Sequence, residues 1–264
     1  MLGRQELYAD AQWINDYGQR MLGGEPYQRQ ADEKYSESFF KWLGAQSVES
    51  MDFSDYENAT LIHDLNTPLP DVFKNRFTTL FDGGTLEHVF NFPTAIRSCI
   101  DMLRVGGYFL SITPANNQMG HGFYQFSPEL YYSLFTGNSG FEIKAVWLGV
   151  ERGAGDWIVY DVTNPSTIGE RVIFTNANPT HLMVIAKKIA VVGSLITVHQ
   201  SDYKSVWEEV SNEGEVGGIK NIYRKVVPKV IRDMIWKYRF QNANRTNLEG
   251  LGNVSSRHFK KIEF

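Results

Sequence analysis

Cysteine is nearly absent: Cys99 is the only one in 264 residues. A lone cysteine excludes an intramolecular disulfide framework and any Cys-based zinc site. It fits a reducing compartment, most simply the cytoplasm. No apolar run reaches the roughly 18–20 residues that a membrane-spanning helix needs. The opening stretch Met1-Leu2-Gly3-Arg4-Gln5-Glu6 has no apolar signal-peptide core. Histidine is sparse too, six residues with neither H-x-H nor H-E-x-x-H spacing, so no metal site is expected. G-x-S-x-G and P-loop sequences are missing, which leaves hydrolase and NTPase readings poor. There is no internal repeat and no low-complexity tract.

What is present suffices for a sizeable core. The chain is 42% hydrophobic, 14% aromatic and 21% charged, the balance of a folded protein rather than a disordered one. Its length suits one large domain, or one domain with an appendage. The net charge of −4 conceals an asymmetry. From Ile219 to Phe264 there are 11 basic and 3 acidic residues, and the rest of the chain carries 15 basic and 27 acidic ones. A basic tail on an acidic body implies two functional zones. It argues against a nucleic-acid partner, whose basic footprint would mark the main domain.

Periodicity predicts a helix over Leu7–Leu22, with Leu7, Ala11, Ile14, Tyr17 and Met21 or Leu22 on one inward face. A second is expected over Ala31–Leu43, with Phe39, Phe40 and Leu43 inward and Gly44 as its stop. The rhythm then changes to short β-compatible runs closed by an acid: Ser47–Asp52, Ala59–Asp64 and Phe77–Asp82, the last followed by Gly83-Gly84. A helix over Pro93–Leu103 has Ala95, Ile96, Cys99, Ile100 and Leu103 as its apolar stripe. Gly106-Gly107 breaks it, and a strand follows over Tyr108–Thr113. Ser127-Pro128-Glu129 opens a helix to about Phe135. Strands are expected at Glu142–Val150 and His181–Lys188.

Strands alternating with helices predict an α/β fold, doubly wound around a mostly parallel Rossmann-like sheet. In such sheets ligands sit at the carboxyl ends of the strands, and here those ends carry Asp52, Asp64 and Asp82-Gly83-Gly84. Any one of these could be an ordinary turn or helix-cap residue. Three in order, with a diglycine behind the last, favour a ligand site.

The run Phe77-Thr78-Thr79-Leu80-Phe81-Asp82-Gly83-Gly84-Thr85-Leu86-Glu87-His88-Val89, followed by Arg104-Val105-Gly106-Gly107-Tyr108 and a strand ending in Thr113-Pro114, closely resembles class I S-adenosylmethionine (SAM) dependent methyltransferases. The resemblance is specific over Phe77–Pro114 and extends more loosely from Ser47 to Lys188. It implies that Asp52, with Phe53 beside it, binds the ribose hydroxyls of SAM, for which a carboxylate is a suitable double acceptor. It implies that Asp64 and Leu65 meet the adenine. It places Asp82, Gly83 and Gly84 under the methionine part, where glycines let the backbone come close. The family's Gly-rich loop has Gly3, in Leu2-Gly3-Arg4, as its one counterpart, and the strand expected before it would lie at or before Met1.

On the substrate side, Pro114–Pro128 is rich in amides, glycines and aromatics. Asn116, Asn117 and Tyr124 are candidate binding residues for a small-molecule or glycan-type acceptor. His121 between two glycines is a candidate base, with His88 and Glu87 as the others. The same residues could equally build an ordinary turn-rich loop, and His88 could be structural. Residues 1–190 are expected to form the methyltransferase-like domain, with 151–180 inserted between the last two strands. Residues 191–264 are expected to form a helical, basic extension. Its Val226–Phe240 segment is either a peripheral membrane-contact helix or, more simply, a helix docked on the acidic body. The expected activity is methyl transfer from SAM to oxygen or nitrogen. The alternative is a non-catalytic scaffold of the same fold, motivated by the missing glycine loop. An NAD-binding enzyme is disfavoured because no G-x-G-x-x-G follows a strand.

Overall fold

A computed structural model describes residues 1–30, 32–153, 155–168, 171–193, 198–201, 228–231, 234 and 257–263. The chain divides into two compact units, Met1–Ser111 and Ile112–Phe264. The division falls after Ser111, inside a strand.

The first unit opens with helix α1 (Ala11–Met21), capped by Asp10, whose side chain accepts from the backbone N–H groups of Gln12 and Trp13. Its inward face differs from the expected one. Ile14 and Gly18 are buried, whereas Tyr17, Met21 and Leu22 are exposed. The cause is Trp42 at the end of helix α2 (Glu37–Trp42), whose ring lies so close to Gly18 that a side chain there would collide with it. Leu7, Ile14 and Tyr27 form the local core, with Ala9, Phe39 and Trp42 packed around it. Leu43, expected inward, is exposed.

Strands β1 (Met51–Asp52) and β2 (Leu61–Ile62) pair in parallel. They are shorter than the sequence runs because the hydroxyls of Ser50 and Thr60 take over the pairing: Ser50 N donates to Thr60 Oγ1 at 2.8 Å, and Thr60 N to Ser50 Oγ at 3.3 Å. Strand β3 (Phe77–Asp82) spans the expected residues and pairs in parallel with β4 (Leu103–Asn116). Between them runs helix α3 (Phe92–Met102), burying Phe92, Ala95, Ile96, Cys99, Ile100 and Met102. β4 begins before the diglycine, not after it. Phe77 faces Leu103 but Thr79 faces Tyr108, so the extra residues form a bulge containing Gly106 at φ 86°.

Leu2 takes a strand position between β1 and β3. Leu2 bridges in parallel to Met51 on one side and to Asp82 on the other. Leu2 N donates to Phe81 O, and Gly3 N to Met51 O, both at 2.8 Å. Leu2 is 1% exposed, so this single residue joins β1 and β3 through the interior.

The second unit contains helix α4 (Pro128–Leu134), β5 (Phe141–Gly153), β6 (Asp156–Val162), the short helix α5 (Pro165–Ile168), β7 (Thr180–Lys188) and β8 (Phe259–Lys261). β5 pairs with both β6 and β7, and β6 with β8, and all three pairings are antiparallel. The mostly parallel sheet of the expectation therefore describes the first unit and not the second. The 151–180 segment supplies β6 to this sheet. In the expected helical extension, 259–261 form a strand on β6. Much of the expected extension, including most of Val226–Phe240, lies outside the described residues. No helix among the described residues is long and apolar enough to cross a membrane.

Candidate functional site

Because β1, β2, Leu2 and β3 run in parallel, their carboxyl ends share one edge of the first unit. Along it lie, in spatial order, Asp64 after β2, Asp52 at the end of β1, Gly3 after Leu2, and Asp82-Gly83-Gly84 after β3. The chain proceeds from Leu2 to β1 and β2 on one side and to β3 and β4 on the other. This edge therefore contains a topological switch point, where open α/β sheets form their ligand crevice.

Gly3 sits at the centre. Its φ is +61°, and a Cβ there would lie 2.9 Å from Thr85 Oγ1 and 3.9 Å from Asp52 Oδ2. Asp52 is half-buried and its Oδ1 accepts from Phe53 N at 2.6 Å, while the Phe53 side chain is exposed. Asp64 Oδ1 accepts from both the backbone N and the side-chain Nδ2 of Asn66 at 2.9 Å. Those bonds hold its carboxyl below the usual carboxylate range. Leu65 beside it is buried at 4% exposure. Asn66 is tied in turn to Asn91 at the start of α3, which fixes the Asp64 turn against that helix.

Asp82 has no exposed surface. Its Oδ1 accepts from Thr85 N at 2.9 Å and Leu86 N at 3.3 Å, and its Oδ2 from the Ser111 hydroxyl at 2.9 Å. Desolvation by burial pushes its carboxyl up against the pull of these donors. Asp82 is thus the internal brace of the diglycine turn. Glu87, on the single helical turn Leu86–His88, is equally buried. Burial, with the Asp82 charge adding to it, pushes the Glu87 carboxyl up to about 7. A Cβ at Gly84 would lie 3.1 Å from Glu87 Oε1, so a side chain at 84 would crowd that oxygen. His88 is half-exposed, with Nε2 3.9 Å from Glu87 Oε1.

The remaining candidates lie in the second unit. Asn116 ends β4 and its Oδ1 accepts from Asn117 N at 3.0 Å. Asn117 is left-handed at φ 56°, and its Nδ2 lies 2.9 Å from Asn176 O, Asn176 Oδ1 and Asn178 O. His121 is exposed, in a turn closed by its N–H to Gln118 O at 3.1 Å. Tyr124 is half-buried and stacks on Phe126. The structure thus gathers Gly3, Asp52, Asp82, Gly83, Gly84 and Glu87 in the first unit, and Asn116, Asn117, His121 and Tyr124 on one loop of the second.

Three contributors were not legible in the sequence. Gln5 Nε2 donates to Leu2 O at 2.6 Å and to Thr85 Oγ1 at 3.3 Å. Thr85 Oγ1 itself donates to Leu2 O at 3.0 Å. Ser111 anchors Asp82. Only Thr85, directly behind the diglycine, carried any positional signal.

No family model matches the chain, and no curated protein matches it. Among solved structures it is similar to the 4+2 cyclase SpnF, at 10% identity and TM-score 0.35, covering 72% of this chain and 87% of that one. It is similar to the antibiotic-resistance methyltransferase Kmr at 14% identity and TM-score 0.30, covering 50% and 62%. The CMeT domain of the citrinin polyketide synthase matches at 12% identity and TM-score 0.33, covering 59% and 42%.

Proposed function

We propose that the chain binds SAM along the carboxyl edge of the first unit and transfers a methyl group to an oxygen or nitrogen of a small-molecule or glycan-type acceptor. The observation that carries this reading is the convergence of Gly3, Asp52 and Asp82-Gly83-Gly84 on one switch-point edge. The donor set fits: a carboxylate stands beside a glycine in the left-handed region, as a ribose diol against close backbone requires. When bound, the cofactor supplies an activated methyl on a sulfonium. Asp52 accepts from the two ribose hydroxyls and orients the nucleoside, with Asp64 and Leu65 toward its base. Gly83 and Gly84 admit the rest of the ligand to the turn braced by Asp82. Glu87, poised near neutrality, takes the acceptor's proton. In the second unit, Asn117 shapes the 116–126 loop that carries Asn116, His121 and Tyr124.

The test is calorimetric titration with S-adenosylhomocysteine. Binding is expected in the wild type, and Asp52→Ala weakens it by roughly 1–3 kcal/mol, the cost of a lost charged hydrogen-bond partner. Absence of binding at millimolar ligand overturns the reading. One observation favours a second reading, a non-catalytic scaffold: the Gln5 side chain fills the space above Gly83, where a Cβ would lie 2.6 Å from Gln5 Oε1.

A further inference from the structure

The same side chain supports a more specific reading. Gln5 follows Gly3 by two residues, and its backbone is pinned: Ser36 N donates to Gln5 O at 2.9 Å, and Leu7 N to Lys34 O at 2.9 Å. Its carboxamide nonetheless spans the switch point from Leu2 to Gly83. Nε2 donates to Leu2 O and Thr85 Oγ1, and a Cβ on Gly83 would lie 2.6 Å from Oε1 and 3.0 Å from Cδ. A glycine at 83 is what lets the amide lie there. Motion of Gln5 is therefore a matter of side-chain torsions over a fixed backbone, which exposed and half-exposed side chains complete in picoseconds to nanoseconds.

Leaving this position costs about one net hydrogen bond and orphans no backbone group. The Leu2 carbonyl accepts from two donors, Gln5 Nε2 at 2.6 Å and Thr85 Oγ1 at 3.0 Å. When Gln5 swings out, Thr85 still satisfies it, so no backbone acceptor is orphaned inside the crevice. The vacated volume is bounded by a backbone carbonyl and a glycine pair. A ligand group carrying N–H donors, such as an ammonium, fits there in place of the amide nitrogen.

We propose that Gln5 is a gate over the Gly83 end of the crevice, displaced by a nucleoside whose 5′ substituent carries an amino-acid group and undisturbed by a nucleoside lacking one. This rests on the SAM reading above and adds to it a residue that sets affinity and selects the ligand's tail. The selectivity follows from the order along the edge. Neighbouring strands are about 4.8 Å apart, so Asp52 and Gly83, separated by Leu2, stand about two strand spacings apart. Gln5 Nε2 and Asp52 Oδ2 both lie within 4 Å of the position a Cβ on Gly3 would take. The space over Gly83 that Gln5 Oε1 and Cδ fill lies one strand further on, where a nucleoside held by Asp52 extends its 5′ substituent.

The test is calorimetric titration of the full-length wild type, Gln5→Ala and Gln5→Ser with S-adenosylhomocysteine and with 5′-methylthioadenosine, which lacks the amino-acid group. Circular dichroism checks the fold of each variant. Both variants are expected to bind S-adenosylhomocysteine roughly tenfold more tightly than the wild type, the equivalent of one net hydrogen bond no longer displaced. 5′-Methylthioadenosine is expected to bind all three proteins equally. Equal or weaker S-adenosylhomocysteine binding by the variants, with the wild type binding, removes the gate and leaves the cofactor reading standing. A parallel gain for both ligands removes the tail selectivity, and with it the gate as proposed. No binding by any of the three proteins overturns the cofactor reading and the gate together. Two variants that both fail to fold make Gln5 a structural strut instead.

Discussion

Asp82 and Ser111, on the paired strands β3 and β4, meet through a 2.9 Å hydrogen bond at a depth where neither side chain has more than 1% of its surface exposed. This bond holds the diglycine turn to the sheet from below, while Asp82 Oδ1 holds it through Thr85 N and Leu86 N. Asp82→Ala strands two backbone donors and one hydroxyl in the interior. The loss is expected to be roughly 3 kcal/mol, since each buried unsatisfied group costs on the order of 1–3 kcal/mol and partial solvation recovers some of it. Asp82→Asn keeps an acceptor for both N–H groups and presents an amide donor to Ser111 Oγ, so its cost is expected near about 1 kcal/mol. Urea denaturation at pH 7 separates the two. Equal losses would mean that the turn does not depend on these bonds.

Glu87 gives the first unit a pH dependence of definite sign. Its carboxyl titrates near 4.5 when unfolded and about 7 in the folded protein, because burial disfavours the ionised form. A raised folded value means that the folded state holds the proton longer. The resulting stability is fully present below about 4.5 and is lost as pH rises toward 7. Asp82, the charge facing Glu87 from β3, is shifted in the same direction by its burial, and His88 faces it from the exposed side. Stability is expected to fall by up to about 3 kcal/mol between roughly pH 4.5 and 7.5, because a pKa that differs by one between folded and unfolded chains is worth about 1.36 kcal/mol. Glu87→Gln should flatten most of that slope. Denaturation midpoints across this pH range read it directly, and an unchanged slope in the variant would assign it elsewhere.

β3 and α3 were legible because each follows one simple rule. Phe77–Asp82 is a β-compatible run with an acid at its end, and α3 has a 3.6-residue stripe through Ala95, Ile96, Cys99 and Ile100, while Leu103, expected to continue it, starts β4. The failures came where two rules competed. α1 is apolar on two faces, and the choice between them was made by Trp42 seeking a glycine at 18, a contact made between separate helices. β6 holds a continuous apolar run, Trp157–Tyr160, but nothing local says that it folds back on β5 rather than covering a substrate. The edge of Asp52, Asp64 and Asp82 could be read from spacing, since a parallel sheet puts every such residue on one side. Gln5 could not. A glutamine two residues after a glycine is ordinary in sequence, and only the fold brings it over Gly83.

Asn117 decides how firmly the 117–126 loop is held in the second unit. Its two amide hydrogens are shared among three acceptors on Asn176 and Asn178, and its positive φ of 56° favours Asn or Gly. Asn117→Gly keeps the backbone conformation and deletes the clasp. Asn117→Ala deletes both and should cost about 1 kcal/mol more. Hydrogen exchange should show faster exchange in 117–126 for both variants, and urea denaturation should rank them. Wild-type exchange in Asn117→Gly would show that Gln118, which donates to Thr180 O at 2.9 Å, holds the loop without help.

Gly3 links the sheet to the crevice, and its replacement tests both. At φ +61° an L side chain is strained by roughly 1–2 kcal/mol. The added methyl of Gly3→Ala would also sit 2.9 Å from Thr85 Oγ1, closer than ordinary packing allows. Thr85 must rotate away, and its 3.0 Å bond to Leu2 O goes with it, for about 1 kcal/mol more. The variant is therefore expected to lose roughly 2–3 kcal/mol. The two parts can be separated with Thr85→Ala, which removes the obstructing oxygen but leaves the backbone strain. In a cycle of wild type, both single variants and the double variant, the double should be more stable than the sum of the singles predicts, by roughly 1 kcal/mol. Strict additivity would show that Thr85 does not press on residue 3, leaving the backbone conformation and Gln5 Nε2, 3.2 Å from the added methyl, as the constraint. A double variant that recovers fully to the Thr85→Ala level would show the reverse, that the left-handed turn after Leu2 tolerates a side chain and the constraint at residue 3 is the crowding of the crevice.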